Sequence, residues 1–333
     1  MAVPQRTALT LPDPRGVEAT IEIAKWAEAE GYDDLWFADA AGGIDALTTA
    51  AVVAVNTERC RIGTAIIPVY IRTPAVFAST CHVLNKLSSG RFILGLGSSS
   101  QTMMENWHGL DFDKPLTRVK ETTQLVKQML AGEKSDFTGE TVRSHGYRQQ
   151  PLAEDEHQPI YMAALRAKML EAAAEFSDGV ILNLLPKGAL PKMMGHIQAG
   201  GARAGKKLED IEVVCRHMVV VTDDKETAQN AFRAAFAPYY ATPVYNNFLS
   251  WCGYKDVAAV IREGWAEKDR EKTTSALSDE LIDEIGIIGT AEECHDKIRE
   301  RGELGITTHI ISCMSLKDAQ QTYEAFTAKN FSF

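Results

Sequence analysis

The chain has 333 residues, is 45% hydrophobic and carries a net charge of −10. That acid excess argues against a nucleic-acid partner, whose phosphates demand clustered Lys and Arg. No apolar run approaches the roughly 20 residues that cross a bilayer, and the N-terminus lacks a charged start with a long apolar core, so neither a membrane span nor a signal peptide is expected.

Strand and helix patterns alternate along the chain. Thr7–Leu11 reads as a short apolar strand, followed by Val17, Ile21, Ala24 and Ala27 on one helical face with Gly31 as its stop. Further strands read at Asp33–Asp39, Arg61–Pro68, Arg91–Gly97, Pro159–Leu165, Gly179–Leu185, Ile211–Val221 and Thr308–Cys313, each followed by helical periodicity. Apolar strands alternating with amphipathic helices imply a parallel sheet buried on both faces. Eight such units over this length predict an α/β fold, a closed (β/α)8 TIM barrel forming one domain over 1–333. The alternative is two doubly wound halves meeting near Glu154.

Two segments break the alternation. Ser135–Gln158 reads as a polar hairpin before the fifth strand, and Thr242–Gly286 as extra helices between the seventh and eighth. The second is rich in aromatics, with Tyr245, Phe248, Trp251, Tyr254 and Trp265. Insertions after barrel strands sit at the C-terminal mouth, where active sites lie. A lid that excludes water and a cover or dimer contact are both consistent with this one. Six scattered cysteines (60, 81, 215, 252, 294 and 313), none in a C-x-x-C pair, read as buried thiols in a reducing cytoplasm rather than a disulfide frame or zinc site. The strand ends lack the histidine pair a metal hydrolase would need, so no metal is expected.

The stretch "RFILGLGSSS" tests for a dinucleotide loop and fails. The third glycine position holds Ser100, no helix starts at once, and no acidic strand end follows about 20 residues on. Gly95 and Gly97 instead end the fourth strand, where they either let a flat ligand approach the backbone or relieve crowding inside the barrel. Asp39 ends the second strand as a carboxylate at the mouth, and the third runs apolar to its end. Just past Leu165 a helix begins, and its free N–H groups with Arg166 and Lys168 offer an anion site. A polar hook, an apolar wall and an anion site suit a phosphorylated flat cofactor.

The stretches "GTAIIPVYIRTPAVFAS", "LSSGRFILGLGSSS", "AALRAKMLEAAAEFSDGVI" and "IGIIGTAEECHDKIRERGELGITTHII" resemble the luciferase-like monooxygenase superfamily of flavin and deazaflavin oxidoreductases. Within it, the chain is most similar to the branch using coenzyme F420, an 8-hydroxy-5-deazaflavin, which includes methylenetetrahydromethanopterin reductase. The resemblance implies hydride transfer between F420 and a small organic substrate, in a cytoplasmic homodimer. The alternatives are an FMN-dependent two-component monooxygenase and a non-catalytic flavin-binding barrel. It also implies a non-prolyl cis peptide backing the central ring, at Ala65–Ile66 by the "G-T-x-x" match or one residue earlier at Thr64–Ala65. By the same resemblance Asp39 meets the ring edge, Ser98, Ser99 and Gln101 line the ribityl chain, and Leu165, Arg166 and Ala167 hold the phosphate, with Gly97 a cofactor-binding position where the flat ring approaches the backbone. Sugar-phosphate dehydrogenase members carry His after the strand-two acid and Glu after the second glycine. Here those positions are Ala40 and Ser98, which disfavours that substrate. His108 in "ENWHG" is then the candidate catalytic residue, with Tyr70 and Arg72 behind it.

Overall fold

The computed structural model describes residues 3–39, 43–153, 156–314 and 317–333, so Ala40 and Glu154 lie outside the described residues. Eight parallel strands form the staves: β1 (Arg6–Leu11), β2 (Asp34–Phe37), β3 (Arg61–Thr64), β4 (Phe92–Gly97), β5 (Ile160–Ala163), β6 (Gly179–Asn183), β7 (Glu212–Val221) and β8 (Thr308–Ser312). Each pairs with its neighbour, β6 with β7 and β8 with β1, so the sheet closes on itself and the doubly wound alternative is excluded. The third stave departs from the single run expected. After Thr64 the chain passes through a cis Ala65–Ile66 bond and resumes as the short strand Ile67–Pro68, beside Leu96 and Gly97.

The helices follow the expected order, with end signals legible in the sequence. Asp45 caps α2 (Ala46–Ala54) through Thr48 N. Thr73 and Pro74 start α3 (Pro74–Leu87), and Thr290 with Glu293 forms a reciprocal capping box on the helix Ala291–Glu303. The main core lies between staves and helices, joining Leu9, Phe37, Phe77 and Leu94 to Val126, Leu170 and Ile197. Inside the barrel a separate layer of Ala8, Trp36, Ile93, Ile181, Val214 and Ile310 is at most 4% exposed. No helix among the described residues is long and apolar enough to cross a membrane.

Both excursions carry structure of their own. An antiparallel hairpin pairs Asp136–Thr138 with Arg143–His145. After β7 come the helices Lys225–Ala241, Pro243–Trp251, Lys255–Glu267, Arg270–Ser275 and Asp279–Ile285, packed on a second core around Phe232, Tyr240 and Ile261. The chain then returns as the short strand Ile287–Gly289, which pairs with Val219–Val221 at the upper end of β7.

Below the buried layer an ionic network fills the barrel. Asp34, fully buried, takes hydrogen bonds from Arg6 Nη2 at 2.7 Å and Arg61 Nη2 at 2.6 Å. Arg61 also meets both Glu212 oxygens, at 2.7 and 2.9 Å, and Tyr161 donates to Glu212 at 2.6 Å. Burial pushes the Glu212 carboxyl up, but the Arg61 guanidinium, Thr308 and Tyr161 outweigh it and hold it below the usual range.

Candidate functional site

Side chains on a stave alternate inward and outward, so the inward row above the buried layer is fixed by register. Arg216 pairs in register with Asn183 and Ile310, placing it one inward step above Val214. The inward mouth positions are Thr10, Ala38, Ala65, Gly97, Ala163, Asn183, Arg216 and Ser312, and most are partly exposed, unlike the layer beneath. The barrel is therefore open at its C-terminal end.

The β2–β5 side of the mouth is small and apolar. Ala65 and Ile66 are partly exposed where the third stave bulges, and they pack with Ala163 against the barrel's inner cluster. The two glycines serve this bulge. A Cβ on Gly95 would lie 1.8 Å from the Thr64 carbonyl oxygen, and one on Gly97 2.8 Å from Ile66 Cγ1. Thr64 Oγ1 adds a tie by accepting from Gly95 N at 2.8 Å. Crowding within the protein thus accounts for both glycines, and the surface they leave is flat, with Ala65, Ile66 and Ala163 as its only side chains.

Asp39 stands at the rim of this surface with its side chain 6% exposed, and Arg72 Nη1 donates to Oδ2 at 3.2 Å. The same guanidinium reaches Asp45, the cap of α2, so capping that helix falls to Asp45 and not Asp39. Tyr70, by contrast, is engaged away from the mouth: its hydroxyl donates to the Asp113 carbonyl and its ring stacks on Phe112.

Past β4, Ser99 adopts a left-handed φ of 60° and turns the chain into the π-helical stretch Met103–Trp107. Ser98 and Ser99 are partly exposed there, whereas Gln101 is exposed and tied to Glu105 at 3.0 Å. Ser100 and Gln101 line a cleft of about 160 Å³ against Pro243 and Val244. His108 lies exposed at the end of the stretch.

On the next stave Leu165 is partly exposed, and Arg166, exposed, is the N-cap of α5 (Ala167–Phe176) without a side-chain cap. The first N–H groups of that helix have no intrahelical partner and face outward from the stave end. This uncapped start lies where the sequence places its candidate anion site.

The β6–β8 side is polar, and most of it went unnoticed in the sequence. Asn183 Nδ2 donates to the Tyr245 hydroxyl at 2.9 Å, while Asn183 Oδ1 is buried with no hydrogen-bond partner among the described residues. Tyr245 comes from the inserted helix Pro243–Trp251 and meets Tyr239 and Tyr240 edge-on. Burial pushes its phenol up to about 12. Arg216 Nε and Nη2 both donate to Ser312 Oγ, at 3.2 and 3.1 Å. The sequence signal for Arg216 was there: Glu212, Val214, Arg216 and Met218 share one face of a strand, and a lone cation in that row has to meet something.

Flat floor, rim carboxylate and bare helix start together fit a planar ring with an anionic tail, and the floor's small side chains leave its face uncovered.

Three comparisons with known proteins agree with this geometry. Residues 1–308 match the family described as luciferase-like monooxygenase. The chain is 31% identical to the 5,10-methylenetetrahydromethanopterin reductase of Methanolobus tindarius, over 85% of this chain and 86% of that one. It is 29% identical to a protein of Mycobacterium tuberculosis assigned as a coenzyme F420-dependent oxidoreductase, over 90% of this chain and 92% of the relative. In fold it resembles the coenzyme F420-dependent tetrahydromethanopterin reductase of Methanopyrus kandleri, with a TM-score of 0.82, 22% identity and 98% of both chains covered.

Proposed function

The chain belongs to the luciferase-like monooxygenase family of enzymes, and from that premise we propose that it is a coenzyme F420-dependent oxidoreductase acting on a small organic substrate at the barrel mouth. The observation that carries this reading is the division of the mouth into a flat apolar half and a polar half, because a hydride transfer needs two ligands face to face. When bound, the deazaflavin supplies a hydride at its central ring carbon.

The residues take these roles. Ala65 and Ile66 form the ridge behind the ring, and Gly97 keeps that side of the floor free of a side chain. Asp39 meets the ring's edge, held in place by Arg72. Ser98, Ser99 and Gln101 face the chain that leads to the phosphate, and Leu165, Arg166 and Ala167 supply the bare helix start that receives it. The inserted helices cover the opposite half and exclude water, which strengthens every charge interaction beneath them.

Reduction of a C=C, C=N or C=O group also requires a proton. Tyr245, half-buried at the mouth, is the donor: its phenol stays protonated at neutral pH, and Asn183 Nδ2 fixes its oxygen while leaving the proton to point elsewhere. The proton goes to the substrate atom next to the one that takes the hydride, so the product gains two hydrogens and the coenzyme is oxidised by two electrons. His108 is the exposed rim alternative. Tyr245→Phe lowers kcat by about 100-fold or more if the phenol is the donor, and His108→Ala does so if the imidazole is.

The deciding experiment is titration of the purified apo-protein with F420 and with FMN, followed by fluorescence. Tight binding of F420 with weak binding of FMN is expected. The reverse result moves the chain to flavin-dependent oxygen chemistry, and binding of neither discards the site.

A further inference from the structure

Among the described residues, one cation inside the barrel has no carboxylate or helix end to match it. Arg61, at the closed end, has two carboxylates. Arg301, 1% exposed, donates to the Lys297 and Glu284 carbonyls, the latter at 2.9 Å and at the C-terminal end of the helix Asp279–Ile285, where backbone dipoles favour a positive charge. Arg216 has neither. Its partner among the described residues is the Ser312 hydroxyl, and the titratable groups facing it are the phenols of Tyr239, Tyr245 and Tyr323, with no carboxylate.

The pattern of donors is specific. Ser312 Oγ occupies the Nε–Nη2 edge of the guanidinium, which leaves the Nη1–Nη2 end with its parallel N–H pair unused. That end is the fork that matches a planar carboxylate bidentately. Beside it stand a phenol with a proton to give, Tyr245, and the unpartnered Asn183 Oδ1. Burial depresses the Arg216 guanidinium from its ordinary value, yet arginine stays protonated in proteins, so its position costs free energy and not charge. A sequence selected for stability alone would place an apolar side chain here, as it does one step below at Val214.

We propose that Arg216 anchors the carboxylate of the substrate, and that the enzyme acts on small organic acids. The proposal deepens the oxidoreductase reading and rests on it for the word substrate. The anion site itself does not depend on which cofactor binds. With the carboxylate held on β7 and the reducible carbon reaching back over the Ala65–Ile66 floor, one end of the substrate is fixed before the reaction begins, and Tyr245 stands over the bond to be reduced.

The test uses benzoate and its neutral counterpart benzamide as probes, titrated calorimetrically into the protein with and without F420. Benzoate is expected to bind, with benzamide at least about tenfold weaker. Arg216→Gln should weaken benzoate by about 30-fold or more, Arg216→Lys should restore part of that loss, and F420 affinity should stay within about twofold in both. Arg216→Gln should also raise the melting temperature by a few degrees, roughly what removing an uncompensated buried charge returns. Equal binding of the two probes, no binding of either, or benzoate affinity unchanged by Arg216→Gln overturns the proposal. So does a fall in F420 affinity that tracks the loss of benzoate, which would give Arg216 to the cofactor, and so does a lowered melting temperature, which would make it structural. If F420 and FMN both fail to bind while the benzoate results hold, the cofactor reading falls and the anion anchor stands.

Discussion

The two ends of this barrel are built from similar residues with opposite outcomes. At the N-terminal end Arg6, Asp34, Arg61 and Glu212 come from four staves and close into a network in which each charge has its counter-charge. At the C-terminal end, two inward steps above Glu212 on β7, Arg216 meets only a hydroxyl among the described residues, and Asn183 Oδ1 on the neighbouring β6 has no partner among them. Burial of a charge is costly unless it is paired. One end is therefore complete in the protein alone, and the other is arranged so that a ligand completes it. Buried side-chain atoms without a partner among the described residues also occur away from the mouth, at His82, Asn85, Arg118, Thr122 and Thr123, so it is the place of Asn183 at the open end that points to a ligand.

That contrast can be attacked at several points. The largest effect is expected at the closed end: Arg61→Met leaves Asp34 and Glu212 buried without their cation and should cost about 3–5 kcal/mol in urea denaturation. A loss below about 1 kcal/mol would mean the network is ornamental and the contrast empty. Acid probes the same end. Glu212 has a folded value below its ordinary 4.5, so its contribution is complete above that value and is lost as pH falls through the lower one. Melting temperatures measured from about pH 6 down to pH 3 should drop steeply for the native protein and less steeply for Glu212→Gln, whose starting stability is lower. Equal slopes would remove Glu212 from the acid response.

The open end, Arg216 apart, should respond in binding and hardly at all in stability. Asp39→Asn keeps the shape but loses the charge, and should weaken F420 by about tenfold, near 1.4 kcal/mol, while shifting unfolding by less than about 1 kcal/mol. The reverse pattern would make the Asp39–Arg72 pair a structural tie. The smallest effect is expected at Asn183→Leu, where an orphaned acceptor is replaced by an apolar group of similar size. Stability should stay within about 1 kcal/mol of the parent, and a larger loss would show the amide to be satisfied in solution.

Much of the fold was legible in the sequence because each stave carries its own signal. The seventh strand was placed at Ile211–Val221 and observed at Glu212–Val221, since Ile211, Val213 and Val214 at one end and Val219–Val221 at the other favour extended chain. The hairpin before the fifth stave and the helices between the seventh and eighth were likewise visible as breaks in the alternation. The break in the third stave after Thr64 was not visible in composition, and the glycines that allow it lie about thirty residues away on the next strand, at 95 and 97. Asp39 and the uncapped start of α5 could be found because strand ends and helix starts are local features. Arg216 could not be weighed the same way. What sets it apart is the lack of a partner, and partners such as Arg61 and Glu212, 151 residues apart in sequence, exist only once the barrel has closed.

The strand that carries Arg216 also carries the base of the inserted helices. Val221 pairs with Gly289, and Thr222 N donates to the Gly289 carbonyl at 2.8 Å, so everything between these residues leaves and re-enters the sheet at one point. The excursion is thus a cassette with both of its ends on a single rung. Tyr245 belongs to that cassette, while Arg216 and the Ala65–Ile66 floor belong to the barrel. Grafting this segment between relatives should therefore transplant preference for the bond that is reduced and leave behind preference for the acid group.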